Sequence, residues 1–168
     1  MIAHSSTIEH LAVVATGTAA LGVYGWAWLL GRKRSVVRLA AWSTAILVVL
    51  VATTPTVEAW SARSFTGHMG QHLAMIVVAA PLFVVARPVQ TVGPLLRIRE
   101  HRPSRWWRPR SVMLTPLLFL GVLYLTHLTS IYELALDHRL VHDLEHVAYV
   151  GTAVALWAAI TAPRPSDG

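Results

Sequence analysis

The chain contains no cysteine among its 168 residues. That excludes disulfide frameworks and thiolate zinc or copper sites, so any metal must be held by His, Met or carboxylate. Charge is scarce as well, at 13% of residues, against about a quarter in a soluble domain. Acidic residues number only 8 against 14 basic ones. The basic excess could suggest nucleic acid, but the arginines sit in short blocks beside apolar runs. Membrane topology accounts for them there, and no nucleic-acid partner is expected. The N-terminus, MIAHSSTIEH, lacks the basic start of a cleavable signal peptide, so none is expected.

What is abundant is apolar sequence, 55% of the chain. A membrane span needs about 20 mainly apolar residues. Five segments qualify, roughly 9–31, 37–57, 68–87, 111–131 and 142–162. A soluble protein could bury one such run as a core helix, but not five. The expected fold is all-α: a polytopic membrane helix bundle of five transmembrane helices, forming one domain over 1–168. Pro81 is expected to kink the third span, and Pro116 to stand in the first turns of the fourth.

The loops set an orientation. Arg32, Lys33, Arg34 and Arg38 separate spans one and two. Arg87, Arg97, Arg99, Arg102, Arg105, Arg108 and Arg110 separate spans three and four, and Arg164 follows span five. That places 12 of 14 basic residues on one side, leaving Arg63 and Arg139 on the other. The positive-inside rule then gives N-terminus out and C-terminus in, within a bacterial cytoplasmic (inner) membrane. The loop 88–110, with Trp106 and Trp107, is expected to rest on anionic headgroups of the lipid bilayer.

On this topology eight of nine histidines fall outside: His4, His10, His68, His72, His127, His138, His142 and His146. Only His101 is inside. Single histidines at helix ends, such as His4, His10 and His101, usually mean a hydrogen bond or hydration. The spacing of the others says more. His68 and His72 stand four residues apart, as do His142 and His146, so each pair shares one helix face. Ionisable groups in a membrane protein are costly and mark functional sites. Two imidazoles four residues apart can reach one ion.

Met75 continues the first face with a soft thioether, and imidazole with thioether leans toward copper. His138, Glu145 and His127 are second-rank candidates beside Met75. The copper-binding site is thus expected to face the periplasm or cell exterior.

Other readings use the same residues. His142-Asp143-Leu144-Glu145-His146 fits the H-x-x-E-H pattern of a zinc metalloprotease, with Glu145 activating water. Such a site needs a third protein ligand, and Glu133 and Asp137 are poorly spaced for it. A haem b protein would take one axial His from span three and one from span five. Paired histidines suit a small ion better than a porphyrin. A structural subunit of a larger respiratory membrane complex is the remaining class.

The stretch FTGHMGQHLAMIVVAAPLFVVARPV resembles the His-x-x-x-His helix, with its following Pro-Leu and closing Pro, of the CtaG family. These are multi-spanning bacterial assembly factors of haem–copper cytochrome c oxidases. TSIYELALDHRLVHDLEHVAYVGTAVALW resembles the same family's second motif, a Tyr-containing outer loop followed by His-x-x-x-His and a helix ending in Trp. The resemblance covers roughly residues 60–160. It implies oxidase maturation through copper, with His68 and His72 as the first pair and His142 and His146 as the second. It implies an oxidase subunit or a periplasmic copper chaperone as partner, and no enzymatic reaction. Family members usually have about seven spans, so the chain is expected to be a short variant, acting alone or as a homo- or hetero-oligomer.

Overall fold

The computed structural model describes residues 2–31, 34–98, 107–129, 134 and 138–162, with side chains from residue 10 onward in the first stretch and 112 onward in the third. Every regular element among them is helical. The elements are α1 (Ile2–Leu30), α2 (Val36–Ala52), α3 (Pro55–Ser61) and α4 (Phe65–Leu73). A π-helical segment (Ala74–Ala79) leads into α5 (Ala80–Ala86) and α6 (Pro88–Val92), and then come α7 (Trp107–His127) and α8 (Arg139–Thr161). Their contacts group into two compact units, Met1–His101 and Arg102–Gly168.

Three helical stretches among the described residues are long and apolar enough to cross a membrane: His10–Leu30, Phe65–Val92 and Leu140–Thr161. Val36–Ala52 and Pro55–Ser61, bent by 58°, make a fourth if taken as one broken span. Val112–His127 is a shorter apolar helix at the fourth expected segment. Burial runs opposite to that of a soluble protein. Ala41, Ala45, Ala52, Ala79, Ala80 and Ala86 are buried, while Leu29, Leu47, Val77, Leu117 and Val147 are exposed. Small residues let membrane helices approach, and large apolar ones face lipid.

The second expected span ends early for a stated reason. Pro55 has no N–H to give the Val51 carbonyl. Thr54 takes that carbonyl instead, with its N–H at 3.1 Å and its hydroxyl at 2.8 Å. The Thr54 hydroxyl also accepts from the Val57 N–H at the start of α3. The kink expected from Pro81 takes the form of a wider helix. The π segment lies just ahead of Pro81, where the proline removes one donor, and the Ala80 N–H reaches back five residues to the Met75 carbonyl. In the fourth segment the helix starts at Trp107, so Pro116 lies inside it rather than in its first turns. Part of the expected 88–110 loop is helical, because Pro88 suits the first position of α6; residues 99–106 lie outside the described residues.

In the first unit α2 packs on α1, on the π segment and on α5. Gly17 of α1 faces Leu50 of α2, where a Cβ would stand 2.8 Å from Leu50 Cδ2. Tyr24 is fully buried and stacks on Trp42 at 4.7 Å, and Phe83 meets Trp42 edge-on. The Tyr24 hydroxyl donates to the Ala86 carbonyl at 2.7 Å. In the second unit α7 packs against α8.

Candidate metal centre

The first pair sits on α4. Ser64 caps that helix, its hydroxyl accepting from the Gly67 N–H at 3.2 Å. The cap starts the helix at Phe65, ahead of the expected 68, so His68 and His72 are both fully helical and their i,i+4 relation is real. Gln71 lies on the same side. Its amide donates at 2.8 Å to the Ala52 carbonyl, one of the last carbonyls of α2, which lack an intrahelical partner. This bond fixes α4 against α2. Gln71 was not among the candidates; its i+3 spacing from His68 and its polarity in an apolar span were the available signals.

His68 is 5% exposed and His72 1%. Their rings meet edge-on, with centroids 4.4 Å apart, and their Nε2 atoms stand 2.9 Å apart. That distance fits one ring donating to the other. It also fits chelation. Two imidazole nitrogens bound side by side to one ion at ~2.0–2.1 Å stand about 2.8–3.0 Å apart at a right angle. Met75, one turn beyond His72, is equally buried and lies in the first turn of the π segment.

The second pair sits near the start of α8. His146 is buried and His142 half-buried, with ring centroids 4.3 Å apart. Asp143 joins them: ligand atoms of His142, Asp143 and His146 all lie within 4.8 Å of one another. Asp143 has no four-residue relation to either histidine, although it precedes His146 by three. His138 is the N-cap residue of α8. It is exposed and makes no side-chain cap bond, so the third i+4 step falls outside the helix proper.

Glu145 is buried, and its carboxylate accepts from the Tyr149 hydroxyl at 3.1 Å. The same hydroxyl meets His127 Nδ1 at 2.8 Å and the Thr126 hydroxyl. His127 ends α7, where its Nδ1 also approaches the Thr126 hydroxyl and the Leu123 carbonyl, each at 3.2 Å. Tyr149 thus ties Glu145, His127 and Thr126 into one buried network between α7 and α8. The side chains of His4 and Arg139, and residues His101, Glu133 and Asp137, lie outside the described set; His10 is half-buried on α1.

Two helical His pairs in a membrane protein are the features on which the family resemblance was drawn. The family model described as cytochrome c oxidase caa3 assembly factor matches residues 22–168. The chain belongs to this family. The match spans both His pairs and most of the chain. No curated protein and no solved structure matches. The family's described role is assembly of an oxidase rather than catalysis of a reaction, in agreement with the reading of the chain as no enzyme.

Proposed function

We propose that this assembly factor handles copper for a haem–copper cytochrome c oxidase, with His68 and His72 as one chelating pair and His142 and His146 as another. The observation that carries the reading is the 2.9 Å separation of two buried Nε2 atoms on α4. Burying two imidazoles in an apolar span is costly unless they are used, and an ion bound by both offsets that cost. A bound copper ion would supply the cargo; the chain supplies the donors and shields them from water.

The two donor sets differ. The α4 pair has a buried thioether one turn away and no carboxylate among its helical neighbours. Imidazole and thioether suit Cu(I). The α8 pair has the Asp143 carboxylate, an oxygen donor that favours Cu(II) or zinc. That carboxylate supports zinc as a second reading for α8 alone. Glu145 is held by Tyr149 and serves to position the α7–α8 contact rather than to activate water.

The proposed setting is a five-span chain in the bacterial cytoplasmic membrane. The broken pair α2–α3 counts as one span and α7 as another. The arginine distribution supports an orientation with the N-terminus and both His pairs on the outer face. An oxidase subunit or a periplasmic copper chaperone would meet the chain there.

The test is metal content of the chain purified in detergent, for the wild type, His72→Ala and His146→Ala. Copper in the wild type and reduced copper in each variant are expected. Unchanged copper content and affinity in both variants would sink the proposal, and a Soret band would replace it with a haem site.

A further inference from the structure

At the other end of the first unit, α1, α2 and α6 surround a cavity of about 740 Å³. Its position is set by the helix ends: the span His10–Leu30 stops there, α2 starts at Val36, and the span Phe65–Val92 stops there. The cavity therefore lies where the candidate spans end, at the connection from α1 to α2 that includes Arg34.

Its walls carry two kinds of chemistry. Arg38, Ser35, Gln90 and Thr91 are polar; Leu30 and Leu95 are apolar and exposed. Arg38 forms no ion pair among the described residues, and the sequence explains why. The carboxylates of this unit are Glu9, Glu58 and Glu100. Glu9 lies 21 residues before Leu30 along α1, roughly 30 Å away at helical rise. Glu58 follows the far end of α2, and Glu100 lies outside the described residues. The guanidinium thus lines a cavity with no described anion to match it.

The cavity is also built rather than incidental. The Thr91 hydroxyl donates to the Tyr24 hydroxyl at 3.3 Å, and Tyr24 in turn holds the Ala86 carbonyl. Trp28 Nε1 donates to the Ser35 carbonyl at 3.0 Å, and the Arg34 guanidinium lies over the Trp28 ring at 5.9 Å. These bonds join α1 to α2 and to α6 around the opening.

We infer that this cavity holds the phosphate headgroup of an anionic glycerophospholipid. Arg38 pairs with the phosphate, the Gln90 amide offers hydrogen bonds to its oxygens, and the Thr91 hydroxyl, whose proton goes to Tyr24, can accept from a glycerol hydroxyl. The acyl chains run along Leu30 and Leu95 into the bilayer. A free phosphate would use the same guanidinium but would gain nothing from the apolar half of the wall. Basic pockets between helices at the membrane surface are a known way to select anionic lipid.

The full chain, reconstituted in nanodiscs of mixed phosphatidylglycerol and phosphatidylcholine, tests this by native mass spectrometry of retained lipid. The wild type should retain phosphatidylglycerol preferentially. Arg38→Gln should lower that preference about fivefold, the contribution of one arginine at a membrane surface. Leu95→Trp, which fills the apolar half without changing charge, should lower total retained lipid. Arg63→Gln, an exposed arginine outside the cavity, should leave both unchanged. Circular dichroism checks that each variant is helical. Retention by Arg38→Gln equal to the wild type overturns the inference. So does equal loss in Arg63→Gln, or displacement of the lipid by millimolar inorganic phosphate, which would make the cavity a free-anion site.

Discussion

The two His pairs share a spacing but not an environment. On α4 both rings are buried and nearly touch, with a methionine as the next residue of that face. On α8 one ring is buried and the other half-exposed, a carboxylate stands among the donors, and a tyrosine network ties the helix to α7. Identical spacing in sequence therefore gives a soft, dry donor set in one unit and a harder, wetter one in the other. The difference teaches that helical spacing brings two imidazoles together, while their neighbours set the donor chemistry around them, on which the proposed ion preference rests.

The largest expected effect comes from removing one ligand of the drier pair. His72→Ala should weaken Cu(I) binding roughly 100-fold or more, at or beyond the upper end of what loss of an outer-shell partner costs. Competition with a Cu(I)-selective chelator measures it. Zinc or Cu(II) retained on α8 should stay unchanged in that variant; parallel loss of both would erase the distinction between the pairs.

Asp143→Asn comes next. It should lower zinc and Cu(II) affinity about tenfold, at the low end of the same range, and leave Cu(I) affinity as it was. Isothermal titration with each ion separates these outcomes. If Asp143→Asn acts only on Cu(I), the assignment of hard and soft sets is reversed.

Tyr149→Phe removes one hydroxyl shared by Glu145, His127 and Thr126. A buried group left without its partner costs about 1–3 kcal/mol. Thermal unfolding of the α7–α8 unit should shift down accordingly, with Cu(I) affinity of the α4 pair unaffected. No shift in unfolding would mean that the network does not hold α7 to α8. The smallest change is Met75→Leu. A volume-conserving swap costs less than about 1.5 kcal/mol, so stability should barely move. The preference for Cu(I) over Cu(II) should fall several-fold; an unchanged preference would assign Met75 to packing alone.

Much of this was legible in sequence because it is local. Four-residue spacing placed each His pair on one face, and Pro55 and Pro81 marked the places where helical hydrogen bonding had to change. The form of the change was not legible. A proline within a span permits a kink or a π segment, and packing of α2 against this stretch accompanies the π segment seen. Asp143 carries no i+4 step, so four-residue spacing does not single it out. The tie between Tyr149 and His127 joins residues on different helices, and no periodicity within either helix encodes it. Tyr24 likewise gave no signal: its hydroxyl meets a carbonyl 62 residues away. His138, a second-rank candidate, stands four residues before His142 but ahead of the first helical residue, Arg139, so the spacing alone gives it no shared helix face.

The most direct measurement is X-ray absorption at the copper edge of the Cu(I)-loaded double variant His142→Ala/His146→Ala, which leaves the α4 pair as the helical His pair. The expected spectrum shows two imidazole ligands at about 2 Å, and the imidazole signal is lost when His68→Ala and His72→Ala are added. Copper bound without imidazole scattering, or a spectrum unaltered by those added changes, would contradict the claim that His68 and His72 hold copper.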